Sequence, residues 1–190
     1  MISQMNRLVA AFAMFLISLM AVAQENVART YELSDSENLR LLVPASWQEE
    51  IRRGPDGFAS VIVFKPASGN LFQVLVTPIL PPNPEAPMPK PEQIKSNVEW
   101  AAENTKDQAV EESLTLKELT GAEVIGYYFA ATDKAPKPNE YEYLTQGMLR
   151  AARLVATFTI LTNNGAQRVV ADALMMLGNT SYVRNTPAVK

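Results

Sequence analysis

The sequence predicts an α+β domain in which helices pack on an antiparallel sheet. Three observations predict it. Strand-length runs rich in β-branched and aromatic residues recur between turn signals, as in Leu154 to Thr162. Two stretches, Glu92 to Asp107 and Ala166 to Leu177, carry apolar residues at helical spacing. Their order is several strands, a helix, four strands and a closing helix, without the regular β-α-β alternation of a parallel sheet.

The first residues read as a targeting segment. Met1 to Arg7 is short and positive, and Leu8 to Met20 is an uncharged run shorter than the roughly 20 residues a bilayer span needs. Ala21-Val22-Ala23 supplies the small residues that signal peptidase accepts. A signal peptide is therefore expected over residues 1–23, cleaved between Ala23 and Gln24. The product is expected to be periplasmic or secreted, soluble and without stable membrane insertion. There is no Cys, which removes lipid attachment, disulfides and thiol chemistry. Loss of Arg7 takes 17 basic residues to 16 against 20 acidic, a net charge of −4. That mildly acidic balance argues against nucleic acid as a partner, because such binding rests on phosphate neutralisation.

Residues 24–183 are expected to form one domain, with 184–190 as a flexible tail. Its first strand is predicted at Thr30 to Leu33, followed by an acidic turn from Asp35 to Asn38. Leu39 to Val43 is a second strand, stopped by Pro44, and Trp47 is expected to plug the core at the end of the sheet. After the turn Gly54-Pro55-Asp56-Gly57, Phe58 to Lys65 and Asn70 to Thr77 are spaced as an antiparallel hairpin. Seven prolines then crowd residues 78–91, predicting an extended, exposed loop. Pro91 suits the first position of the following helix, whose stripe is Ile94, Val98, Ala101, Ala102 and Thr105. Strands are predicted around Ser113 to Leu119 and Ala122 to Thr132, with a polar tip from Asp133 to Asn139. A tight hairpin joins Tyr141 to Leu149 with Leu154 to Thr162. Asn163-Asn164-Gly165 offers a cap for the closing helix, which has Leu174 at its centre, Met175 and Met176 as core filler and Gly178 as a left-handed stop.

The segment Leu41-Leu42-Val43-Pro44-Ala45-Ser46-Trp47 resembles the apolar-x-x-P-x-x-W entry of the PsbP/Mog-like superfamily. The downstream order is similar too: a Pro-containing connection, a helix, a long hairpin, then a helix after an Asn/Gly loop. The resemblance spans about Thr30 to Val183. It implies a central antiparallel sheet of about six strands with helices packed on both faces, an α/β/α sandwich. It also implies a non-enzymatic binding or assembly role, without transferring a partner. Metal ligation of the kind seen in PsbP relatives needs residues such as His, and this chain has none.

Lack of His and Cys removes Ser-His-Asp and Cys-His catalysis and imidazole- or thiolate-bound metal. Glu140 and Glu142 share one face of a predicted strand, where they could perform acid–base chemistry or simply face water. Glu49-Glu50 and Glu111-Glu112 are adjacent pairs expected to point apart or into solvent, and Asp35, Glu37 and Asn38 lack EF-hand spacing. No catalytic residue, cofactor or metal ligand is assigned. The expected function is an exported, non-catalytic binding or assembly module whose partner is a protein or envelope component. The alternative is a carboxylate-dependent hydrolase of envelope glycans. Candidate partner-binding residues are Leu80, Pro82 and Met88 in the Pro-rich loop and Trp100, one step off the helix stripe. The same prolines could instead act as a rigid connection, with Leu80 and Met88 laid on the core.

Overall fold

The computed structural model describes residues 25–54, 59–81, 83 and 85–185. The signal segment, its cleavage site, Pro82 and residues 186–190 lie outside that range. In chain order the strands are β1 (Asn26–Ser34), β2 (Glu37–Pro44), β3 (Trp47–Arg52), β4 (Val61–Pro66) and β5 (Phe72–Ile79). Helix α1 (Pro91–Thr105) precedes β6 (Lys117–Thr120), β7 (Val124–Thr132), β8 (Tyr143–Ala151) and β9 (Leu154–Thr162). Helix α2 (Gln167–Gly178) and β10 (Ser181–Arg184) close the described chain.

Seven strands form one antiparallel sheet in the order β3-β4-β5-β9-β8-β7-β6, and β1-β2-β10 form a second. This corrects the six-stranded expectation. The simple layering of helices on both faces is corrected as well, because the second sheet shares the covering of one face with α2. On the other face, Val98 and Ala102 of α1 pack with Phe129, Ala131 and the partly buried Leu144 and Met148. Opposite it, Ala173, Met176 and Leu177 of α2 join Leu39, Leu41 and Val43 of β2 over Val74, Phe158 and Ile160. Each large side chain so buried contributes roughly 1.5–3 kcal/mol before ordering entropy is charged.

Strict alternation makes β8 and β9 the centre of the sheet: every second residue of β9, from Leu154 to Thr162, is buried. Their two-residue turn sets Ala151 opposite Leu154 and puts Ala152 at a φ of 49°. Pro91 opens α1 as its residue type dictates, with Glu92 in the favourable first turn. Other local expectations yielded to tertiary contacts. The asparagines do not cap α2: Asn163 Oδ1 accepts from the Glu142 N–H, and Asn164 Oδ1 from the Tyr143 hydroxyl. Met176 is buried while Met175 is exposed, and Leu174 is only partly buried beside the fully buried Ala173 and Leu177. Gly178 is the last helical residue and has no positive φ.

One polar clamp attaches the small sheet to the large one, and a second ties its own strands together. Tyr31 and Arg29 of β1 both donate to Glu49 Oε2 of β3, and a second Arg29 nitrogen reaches the Trp47 carbonyl at 2.8 Å. Burial pushes the Glu49 carboxyl up, but the bonds from Tyr31 and Arg29 outweigh it and hold the group below its ordinary value. At the other end, Glu37 accepts from the Tyr182 hydroxyl at 2.6 Å and from Ser34 at 2.8 Å. β10 pairs with β2 as far as Arg184 opposite Glu37, so the domain boundary expected at 183 falls inside a strand.

The hydrogen bond from Tyr182, then that from Ser34, lowers the Glu37 pKa. A carboxylate depressed on folding stabilises above its unfolded pKa, and that contribution is lost as pH falls through the folded value. Tyr182→Phe is therefore expected to flatten the acid limb of the melting profile. Tm measured from neutral pH to about pH 3 checks it, since that interval spans the titration of a depressed carboxylate. Identical slopes in both proteins would refute the clamp.

Candidate functional site

The structure separates the residues singled out in the sequence. Leu80 is partly buried and packs against the core beneath α2. Met88 is half-buried, and Trp100 lies 70% exposed on α1, which covers the opposite face. Arg150 donates to the Pro89 carbonyl at 2.9 Å, and Arg153 to the Ala86 carbonyl at 3.2 Å, fixing the Pro-rich segment to β8 and the β8–β9 turn. The backbone acceptors that such a segment would offer a partner are thus partly occupied from within.

A better formed site lies where α2 leaves part of the sheet uncovered. The helix leads away from the end of β9, and its last residue meets the turn between β6 and β7 at Gly121. A groove of about 380 Å³ remains beside it over the ends of β7, β8 and β9. Ala130, Thr132, Thr145 and Thr162 form its floor, and Gln167 and Val170 of α2 form one wall. Period-two alternation puts these floor residues on the same side as Leu149, Phe158 and Ile160. The volume falls in the range of small-ligand pockets, roughly 300–1,000 Å³.

The rim is tied down by its own hydrogen bonds. Glu111 accepts from the Thr132 N–H at 2.9 Å and from the Thr132 hydroxyl at 2.8 Å, one bond to each carboxylate oxygen. Burial raises the Glu111 pKa, but the Thr132 bonds outweigh it and keep the group below its ordinary value. Asn163 spans the rim, accepting from the Glu142 N–H and donating to the Asn70 carbonyl at 3.1 Å. Tyr143 is oriented by its 2.9 Å bond to Asn164. The sequence contained a signal for this floor, in the hydroxyls at inward positions Thr145 and Thr162. Nothing local shows that α2 stops short of them.

The carboxylates considered for hydrolysis are engaged separately. Glu140 and Glu142 precede β8; Glu140 accepts from the Lys137 N–H at 3.0 Å, and Glu142 from Asn164 at 2.8 Å. Glu50 accepts from Arg52 and Lys65 while its neighbour Glu49 faces Arg29. Among the described residues, no three His, Cys, Asp or Glu side chains gather in a way that could hold a metal ion. A second cleft, of about 360 Å³, opens beside Trp47, Phe72 and Arg168. Trp47 itself is 5% exposed, its ring 5.0 Å from that of Phe72, and is a core residue as its sequence context predicts.

The solution structure of a cyanobacterial PsbP (CyanoP) from Synechocystis sp. PCC 6803 is similar to this chain with a TM-score of 0.50 at 10% identity, covering 86% of this chain and 95% of that one. The fold is PsbP-like. The P-x-x-W element and the order of elements after it therefore pointed to the correct fold. The crystal structure of LpqN, involved in cell envelope biogenesis of Mycobacterium tuberculosis, aligns with a TM-score of 0.47 at 11% identity over 83% of this chain and 91% of that one. No protein-family model matches the sequence, and neither does any curated protein. Among the described residues, no helix is long and apolar enough to cross a membrane.

Proposed function

We propose that this chain is an exported, non-catalytic binding module of the bacterial envelope, and that the groove beside α2 seats its ligand. The signal-peptide pattern of residues 1–23 supports export. One observation carries the rest: the one hydroxyl–carboxylate pair among the groove's lining residues, Thr132 with Glu111, has its carboxylate held below its ordinary value, which makes it a weak base for activating a nucleophile. Glu111 is the sole carboxylate among its lining residues, and with both oxygens accepting from Thr132 it is held ionised. A general acid at neutral pH needs a raised pKa instead, and a glycan hydrolase needs a second facing carboxylate. A preorganised, chemically inert cleft is suited to recognition.

Ala130 is exposed on the groove floor, so Ala130→Trp fills the groove without entering the core. Crosslinking in the periplasm followed by pull-down is expected to capture an envelope component with the native chain and with Trp100→Ala, but not with Ala130→Trp. Capture lost with Trp100→Ala and kept with Ala130→Trp would move the binding surface to α1. Cleavage of envelope glycan by the purified mature protein would overturn the non-catalytic reading.

A further inference from the structure

The buried polar side chains among the described residues are three threonines: Thr145, Thr162 and Thr180, at 5%, 3% and 4% exposure. Two of the three floor this groove. Among these, only the Thr180 hydroxyl is buried without a hydrogen-bond partner, and at the two groove positions valine has the same branched shape, so packing alone does not call for a hydroxyl there. The remaining inward positions of β8 and β9 are apolar or glycine, apart from Tyr143 at the mouth. Hydroxyls kept together at one place on an otherwise apolar face serve a ligand better than they serve the core.

Their spacing and surroundings define that ligand. Thr145 is paired with Ile160, so Thr162 is its diagonal neighbour on the same face, roughly 7–8 Å away along such a ladder. Gln167 adds a neutral amide at the rim, and the first turn of α2 has no side-chain cap on its backbone donors. Ala130, Val170 and the Tyr143 ring supply apolar surface between these groups. No Lys or Arg lines the groove, which disfavours an anion; the Glu111 oxygens are already occupied, which disfavours a cation. A peptide adding as a strand needs a free sheet edge, whereas β7, β8 and β9 are each paired on both sides. Neutral donors and acceptors around apolar patches match a ligand with hydroxyls on its edge and C–H groups on its face.

We propose that the groove binds a short segment of uncharged glycan, with the Thr145 and Thr162 hydroxyls reading sugar hydroxyls and Tyr143 lying against the ring. This rests on the binding-module reading above. The test is titration of ¹⁵N-labelled mature protein with maltotriose and with tri-N-acetylchitotriose, followed by NMR, with trilysine as the peptide control. A neutral trisaccharide is expected to shift the amides of Thr132, Tyr143, Thr145, Thr162 and Gln167. The double variant Thr145→Val/Thr162→Val is expected to bind about tenfold more weakly, with its melting temperature unchanged or raised. Neither trisaccharide shifting these amides at millimolar concentration, trilysine shifting them instead, or equal affinity in the double variant would each overturn the glycan assignment. If Ala130→Trp still abolishes envelope capture in any of those cases, the groove remains the binding surface of a module for another ligand; if capture persists, the groove assignment falls as well.

Discussion

Phe158→Ala is expected to remove about 3–5 kcal/mol of stability, the range for deleting a buried aromatic ring. Phe158 is 1% exposed on β9, the strand that joins the hairpin β4–β5 to the hairpin β7–β8. Its partners in register are Val76 on one side and Gly147 on the other. The glycine is what admits the ring: a Cβ on Gly147 would stand 2.6 Å from Phe158 Cζ. Truncation therefore opens a cavity over a position that has no side chain to fill it. Small domains hold only about 5–15 kcal/mol in total, so this one change consumes a large share. Urea melts with a common slope measure it. A loss below about 1 kcal/mol, close to that of a surface substitution, would show that the face beneath α2 collapses around the gap.

How much was legible in the sequence depended on whether the decisive contact was local. The hairpin β8–β9, the proline start of α1 and the burial of Trp47 follow from alternation, φ restriction and turn chemistry, and the structure has all three. Strand β3 was not legible, because Gln48, Glu49 and Glu50 break the alternation of a half-buried strand. Glu49 is accommodated there only because Arg29 and Tyr31 arrive from β1. The second sheet was missed for a similar reason, since β10 pairs with β2 across most of the chain and its four residues carry no strand pattern of their own. Asn163 and Asn164 look like caps in isolation, and cross-strand partners outcompeted the helix N-terminus for them. The groove combines both cases. Thr145 and Thr162 read correctly as strand residues, but their meaning comes from the place where α2 ends its cover.

Gly121→Ala is expected to destabilise by about 3 kcal/mol or more, at or beyond the upper end of ordinary overpacking. The sequence suggested Gly178 as the glycine that matters, through a left-handed helix stop. Among the described glycines, positive φ falls at Gly69 and Gly165 instead, and Gly178 lies flat against the turn that precedes β7. A Cβ on Gly121 would be driven onto the Gly178 carbonyl, 2.8 Å from its carbon and closer still to its oxygen. These are backbone atoms and cannot swing aside as a side-chain tip would. Either the end of α2 lifts, drawing Met176 and Leu177 out of the core they share with β2, or the β6–β7 turn opens. The reverse substitution is milder: a Cβ on Gly178 meets the Thr120 carbonyl oxygen at 3.3 Å, which a shift of a few tenths of an ångström relieves. Gly178→Ala also reduces the entropy of the unfolded chain, which offsets part of any strain. Urea melts of the two variants should therefore differ by a clear margin, with Gly121→Ala the less stable. Equal losses, or a neutral Gly121→Ala, would mean that helix and turn are not held in contact at this point.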